Sequence, residues 1–255
     1  MGHPSTGQTA KPLVIAHRGA SAVAPQNTMA AFRKAVELKS DGIELDIHLS
    51  ADGIPVVIHE AIVDATTNGH GRVAELIIAQ LQELDAGSSF DPAFAGERIP
   101  TLEQVLQAFP NVLLNVELKC FSPFDRGLER TVISLVKELG RQQHVLFSSF
   151  NPLSLRRAWR IAPDIRIGLL LAPNLPLPLR RAWLASLCPH QARHPHHTMV
   201  TPDYMAWAKK RGYQVNPWTV DDPDEMRRLI SLGVHGIITN VPDVLRRVLD
   251  TSMHG

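Results

Sequence analysis

Short runs of aliphatic and β-branched residues alternate with longer amphipathic stretches along nearly the whole chain. Strands separated by helix-length segments need crossovers rather than hairpins, and crossovers build parallel sheets covered by helices. Eight such strands are expected: Leu13 to His17, Gly42 to Leu49, Val112 to Lys119, Val145 to Phe150, Arg166 to Leu171, the polar Cys188 to His194, Gln214 to Thr219, and Gly236 to Thr239. Helices with proline or asparagine in their first turns are expected at Asn27 to Lys39, Pro152 to Ile161, Pro202 to Arg211 and Pro223 to Leu232.

Eight parallel strands closed in a ring form a barrel, and 255 residues match the roughly 250 of one such domain. The expected fold is therefore α/β, a single β/α (TIM-type) barrel over residues 13–250 behind an N-terminal tail of residues 1–12. One segment breaks the rhythm after the second strand. An extra strand, Pro55 to His59, leads into a small insertion at about residues 61–98, whose DPAFAGERIP tail is rich in turn residues and is expected to fold over the strand ends.

Composition excludes several functions. A formal charge of +1 gives no general field for nucleic acid or an anionic membrane, so an anion must be held locally. MGHPSTGQTAKP lacks an apolar leader core, and no later apolar run approaches the roughly 20 residues of a membrane span. A cytoplasmic location without stable membrane association is expected. Cys120 and Cys188 form neither a CxxC pair nor a zinc spacing.

The chemistry gathers at strand ends. Ile15-Ala16-His17-Arg18-Gly19 sets a proton carrier beside a guanidinium that can hold two oxygens of a phosphate. Along Gly42 to His48, the period of two sends Glu44, Asp46 and His48 to one face and Ile43, Leu45 and Ile47 to the other. Two stacked carboxylates are costly to bury unless a hard divalent cation or basic side chains compensate them. Asn115, Glu117 and Lys119 share a face on the next strand. Glu117 either completes a three-carboxylate site or pairs with Lys119 at the rim, and Lys119 is otherwise free to neutralise a phosphoryl oxygen. His59, after Val56-Val57-Ile58, brings a second histidine to the same mouth, and two histidines suffice to take one proton and give another during phosphodiester cleavage.

HRGASAVAPQNTMAAFRKAVELKSDGIELDIHLSADGIPVVIHE resembles the opening of the glycerophosphodiester phosphodiesterase family, with its HRG, P-E-N-T, E-x-D, D-G and V-V-x-H-D. TTNGHG, LDAGSSF, FAGERIPTLEQVL, NVELK, PWTV and GIITN-x-P follow in family order, from Val14 to about Pro242. The resemblance implies metal-dependent hydrolysis of a small glycerophosphodiester to an alcohol and glycerol 3-phosphate. It implies that His17 and His59 are the acid/base pair, that Glu44, Asp46 and Glu117 bind one divalent cation, Mg2+ or Ca2+, and that Arg18 and Lys119 hold phosphate. Trp218, which shares a face with Asn216, resembles a family tryptophan that walls the glycerol. The resemblance also suggests attack on phosphorus by the substrate's own hydroxyl, giving a cyclic phosphate that water opens.

Gln26 and Glu60 stand where the family has glutamate and aspartate. Asn240, Ser148 and Phe150 lie at strand ends without an assigned part, whereas His190, His194, His196 and His197, broken by Pro189 and Pro195, are expected on a solvated rim. Competing readings are a barrel phospholipase acting on lysophospholipid, an amidohydrolase barrel, which would need an HxH pair on the first strand, and a non-catalytic barrel that binds glycerophosphodiesters.

Overall fold

The computed structural model describes residues 11–120, 124, 126–180 and 182–251. Most of the expected tail, residues 1–10, lies outside them. Among the described residues, strands β1 (Leu13–His17), β2 (Gly42–Leu49), β3 (Pro55–Val57), β4 (Leu113–Leu118), β5 (Val145–Ser149), β6 (Arg166–Leu171), β7 (Ala192–Pro195), β8 (Gln214–Val215) and β9 (Gly236–Thr239) join in one sheet. All but β3 run parallel in the order β8-β7-β6-β5-β4-β2-β1-β9. The ends meet where His235 donates its backbone N–H to the Val215 carbonyl at 2.8 Å and Ile238 to that of Pro217 at 2.9 Å. The result is a nearly closed TIM-type barrel.

The surrounding helices are α1 (Met29–Glu37), α2 (Ile78–Glu83), α3 (Leu102–Ala108), α4 (Leu128–Glu138), α5 (Pro152–Ile161), α6 (Leu177–Arg180), α7 (Pro202–Lys210), α8 (Pro223–Ser231) and α9 (Pro242–Thr251). Their starts follow local chemistry. Proline opens α5, α7 and α8 because its missing N–H is not needed there, while Asn151, Thr201 and Asp222 cap the same helices by accepting backbone N–H bonds. The first helix starts two residues later than expected, because Asn27 is left-handed (φ 57°) and Thr28 caps by accepting from Ala31. No helix among the described residues is long and apolar enough to cross a membrane.

Alternation along the strands sorts the side chains. Ile43, Leu45 and Ile47 of β2, Leu114, Val116 and Leu118 of β4, and Phe147 of β5 pack outward in one cluster with Phe32 of α1, Val105 of α3 and Leu155 of α5. Their neighbours Glu44, Asp46, Asn115, Glu117 and Ser148 are also buried, and by the same alternation they face the barrel axis. The barrel centre is polar towards the C-terminal strand ends, where sites in this fold are built. β3 pairs antiparallel with β2, and Val56 and Ile58 anchor a small separate core with Val63, Val73, Leu81 and Ile99.

Two strand expectations need correction. The sixth barrel strand, β7, begins at Ala192 rather than Cys188, because Pro189 has no N–H to offer and His190 folds back so that its Nδ1 lies 2.9 Å from the Cys188 carbonyl. The next strand pairs regularly only over Gln214–Val215, since Pro217 interrupts the ladder before a single bridge joins Trp218 to His196. The histidine tract is not the expected solvated rim. His194 is 1% exposed inside the barrel between Asn115 and Asn216, and its ring fills the space against Gly168, where an added Cβ would lie 2.6 Å from Nε2. His190 is buried and stacks on Tyr213. Only His196 and His197 stand partly exposed, at the strand end.

Candidate active site

The turn after β1 forms one edge of the site. Arg18 (φ 56°) and Gly19 (φ 85°) are both left-handed, and a Cβ on Gly19 would meet Ala31 Cβ at 2.6 Å, so this turn requires glycine there. It aims the Arg18 N–H at Glu44 Oε2, 3.1 Å away. The Arg18 side chain crosses the mouth: Nη1 donates to Gln26 Oε1 at 2.6 Å, and Nε lies 3.3 Å from Asp46 Oδ2 without hydrogen-bond geometry. A buried guanidinium donor with no acceptor suits a phosphate oxygen. Gln26, at one of the two departures from the family pattern, thus orients Arg18 through a neutral oxygen and leaves its charge undiminished on that side.

Glu44, Asp46 and Glu117 each offer an oxygen within 4.8 Å of the others. All are buried, at 4%, 1% and 8% exposure. Facing three carboxylates are two fixed cations, Arg18 and Lys119, the latter 3.1 Å from Glu117 Oε1 and 3.4 Å from Asp46 Oδ1. Lys119 is therefore paired with the carboxylates while remaining at the mouth, so its two sequence readings describe one position. The balance falls unevenly. Burial, then repulsion from Asp46 and Glu117, pushes Glu44 well above the usual carboxylate range. Burial and Asp46 push Glu117 up to about 7. Burial alone would raise Asp46 too, but Lys119 and Arg18, helped by His59 and by the Asn27 amide 2.9 Å from Oδ2, hold it at about 2. A buried, hard-oxygen set with more negative than positive groups fits a divalent cation such as magnesium or calcium.

The two histidines flank this cluster under different constraints. His17 Nδ1 lies 2.8 Å from Asn240 Oδ1. Asn240 is itself fixed by Asp221, whose Oδ2 accepts from Asn240 Nδ2 at 2.6 Å and whose Oδ1 accepts from its backbone N–H at 2.8 Å. Because the amide nitrogen is committed to Asp221, its oxygen faces the imidazole, and His17 must carry its proton on Nδ1. Nε2 is left as an acceptor, 3.9 Å from Glu44 Oε2. Burial, then Arg18, lowers His17 to about 4. His59 Nδ1 lies 2.7 Å from Glu60 Oε1, so the second departure preserves a carboxylate partner. Burial lowers His59 as well, with Lys119 and Arg18 acting in the same sense against Asp46 and Glu60.

His17, Arg18, Glu44, His59, Glu117, Lys119 and Trp218 line one pocket of about 130 Å³. Asp46 lies beneath it, bonded to Asn27 and paired with Arg18 and Lys119. Trp218 is held by an Nε1–H bond of 2.8 Å to the His194 carbonyl and meets Phe150 edge to face at 5.5 Å. Sequence reasoning gave no part to Asn27, Asp221 or Ser21, whose hydroxyl also donates to Asn240 Oδ1 at 2.8 Å. Asn27 carried a signal within APQNTM, as a left-handed-tolerant residue before a capping threonine. Asp221, some twenty residues from its partner, carried none.

Comparison with known proteins identifies the family. The model of the glycerophosphoryl diester phosphodiesterase family matches residues 17–244. A glycerophosphodiester phosphodiesterase of Caldanaerobacter subterraneus subsp. tengcongensis is 43% identical over 237 residues, 92% of this chain and 96% of its own. Among solved structures, a phosphodiesterase of Oleispira antarctica in complex with its product sn-glycerol-3-phosphate superposes with a TM-score of 0.81 at 32% identity, covering 94% of this chain and 97% of that one. A glycerophosphodiester phosphodiesterase of Agrobacterium tumefaciens gives 0.79 at 29% identity, over 92% and 99%. The chain belongs to the glycerophosphoryl diester phosphodiesterase family and is an enzyme of that activity.

Proposed function

We propose that the enzyme hydrolyses a small glycerophosphodiester to an alcohol and sn-glycerol 3-phosphate, with one divalent cation, Mg2+ or Ca2+, held by Glu44, Asp46 and Glu117, and with His17 and His59 as the acid/base pair. The carboxylate cluster between two differently held histidines carries this reading. A cation there would supply Lewis-acid stabilisation of charge on the phosphoryl group. Arg18 grips a non-bridging oxygen with the donor left over from Gln26, and Lys119 faces the same charge. Trp218 walls the glycerol.

His17, neutral near pH 7 with Nε2 unprotonated, takes the proton of the substrate's 2-hydroxyl. That oxygen bonds to phosphorus as the ester bond to the head-group oxygen breaks, and His59 gives the departing alkoxide a proton. Water then opens the cyclic phosphate with the roles exchanged: His59 takes the water proton and His17 returns its proton to the glycerol oxygen. Both histidines end in their starting states.

The test is hydrolysis of glycerophosphoethanolamine by chelator-treated protein, with glycerol 3-phosphate assayed directly. Activity should vanish on chelation and return with magnesium or calcium; undiminished hydrolysis in chelator would rule out the metal. Arg18→Lys should lower kcat/KM by roughly ten- to a hundredfold, since lysine keeps the charge but loses the planar fork. Wild-type kinetics in that variant would remove Arg18 from the phosphate site.

A further inference from the structure

The pocket does not end at Trp218. Glu117, Lys119, Phe150 and Trp218 also border a larger groove of about 460 Å³ that runs out over the connections following β4, β5 and β6. Beyond those four residues, its walls include Leu118, Leu153, Ala172, Leu175 and Leu179. Among the described residues, its charged groups are Glu117 and Lys119, both at the end shared with the pocket. Much of its polar lining is turned inward: Ser149 donates to the Leu118 carbonyl at 2.8 Å, and Asn151 donates to the Cys120 carbonyl at 3.1 Å and caps α5 through Leu153 N–H at 3.0 Å. The connection that supplies Leu175 and Leu179 also exposes Leu177 and Trp183, at 41% and 57%.

Among the described residues such a surface offers no counter-charge to an ammonium or carboxylate head group away from the carboxylate cluster, and its volume is that of a pocket for a drug-sized ligand rather than for a few atoms. Its place in the ring indicates which half of the substrate it meets. His17 stands on β1, whereas the groove follows strands two to four places away in the order β1-β2-β4-β5-β6. In-line displacement sets the attacking and leaving oxygens on opposite sides of phosphorus. With the glycerol hydroxyl beside His17, the leaving alcohol points towards the groove.

On the reading of the site given above, we propose that this groove is a leaving-group subsite that selects glycerophosphodiesters whose alcohol is apolar and extended. Phe150 and Trp218 form its inner corner, and Leu153, Leu175 and Leu179 contact the chain.

The experiment is a series of sn-glycero-3-phosphate esters of ethanol, butanol, hexanol and octanol, each below its micellar concentration, with the metal-loaded enzyme. Partial burial of each added methylene should raise kcat/KM by about twofold, or roughly sixty-fold over the six methylenes from ethyl to octyl. Leu175→Asp should flatten the octyl-to-ethyl ratio within a single protein preparation. In the control arm, the 1-octanoyl derivative of the ethanol ester, with its chain on the glycerol, should show no such gain. A flat series from an enzyme that turns over the ethyl ester would overturn the subsite while leaving the catalytic reading intact. An equal gain in the control arm would overturn the leaving-side assignment. No turnover of the ethyl ester with either metal would defeat the catalytic reading, and this inference with it.

Discussion

Glu117→Gln should abolish hydrolysis, by about a thousandfold or more, and yet make the metal-free protein more stable above neutral pH. Both halves follow from one position. Burial and the neighbouring Asp46 raise Glu117 to about 7, above its unfolded value of roughly 4.5. A group whose folded pKa is raised contributes stability fully present below the unfolded value and lost as pH rises through the folded one. Between about pH 4.5 and 7 the metal-free site therefore loses stability, and above that window the native carboxylate is a liability that glutamine removes. The gain should be about 1 to 3 kcal/mol at pH 8 in urea unfolding with chelator present.

Asp46→Asn should behave oppositely. Lys119 and Arg18 hold its carboxyl at about 2, so it contributes stability above its unfolded value that is lost as pH falls through the folded one, and asparagine loses that contribution at pH 8. Magnesium or calcium should stabilise wild type and neither variant to the same extent. Two variants equally inactive but shifted in opposite directions would identify a cage built for a cation. Destabilisation by both, with metal-independent activity, would mark the cluster as a structural ion-pair network.

Much of this architecture was legible because two periodicities carry it. Gly42–Leu49 and Arg166–Leu171 match the sequence expectation residue for residue, since a strand inside a barrel must alternate between helix-facing and axis-facing side chains. That same alternation brought Glu44, Asp46 and Glu117 to one place. Proline and histidine misled where they break the pattern. Pro189 and Pro217 shortened β7 and β8 by withholding ladder donors, and His194 was buried because Gly168 on the adjacent strand β6 makes room for an imidazole. Room between neighbouring strands is a property of two strands and cannot be seen in one. The Asp221–Asn240–His17 chain was hidden for the same reason.

That chain divides the labour of the histidines. His17→Ala and His59→Ala should each lower kcat on an alkyl glycerophosphodiester by roughly a hundred- to ten-thousandfold. They should separate on sn-glycero-3-phospho-p-nitrophenol, whose leaving group departs without a proton. Asn240 fixes the His17 tautomer with Nε2 as acceptor, and burial beside Arg18 lowers His17 to about 4, so in the proposed mechanism His17 is the base needed to activate the attacking hydroxyl with either leaving group. His59 sits against the Glu60 carboxylate at 2.7 Å, which with Asp46 works against the lowering that burial imposes on the ring, so of the two histidines it is the better placed to carry the acid's proton. Formation of nitrophenolate should therefore recover towards wild-type rates in His59→Ala but stay slow in His17→Ala, measured as the first-turnover burst, before the cyclic phosphate opens. Asn240→Ala should resemble a weakened His17 variant, with kcat lowered, KM little changed and no rescue by nitrophenol, because a loosened imidazole loses its fixed tautomer while substrate contacts remain. Equal rescue of both histidine variants would mean that neither is confined to one role, and rescue of His17→Ala alone would exchange them.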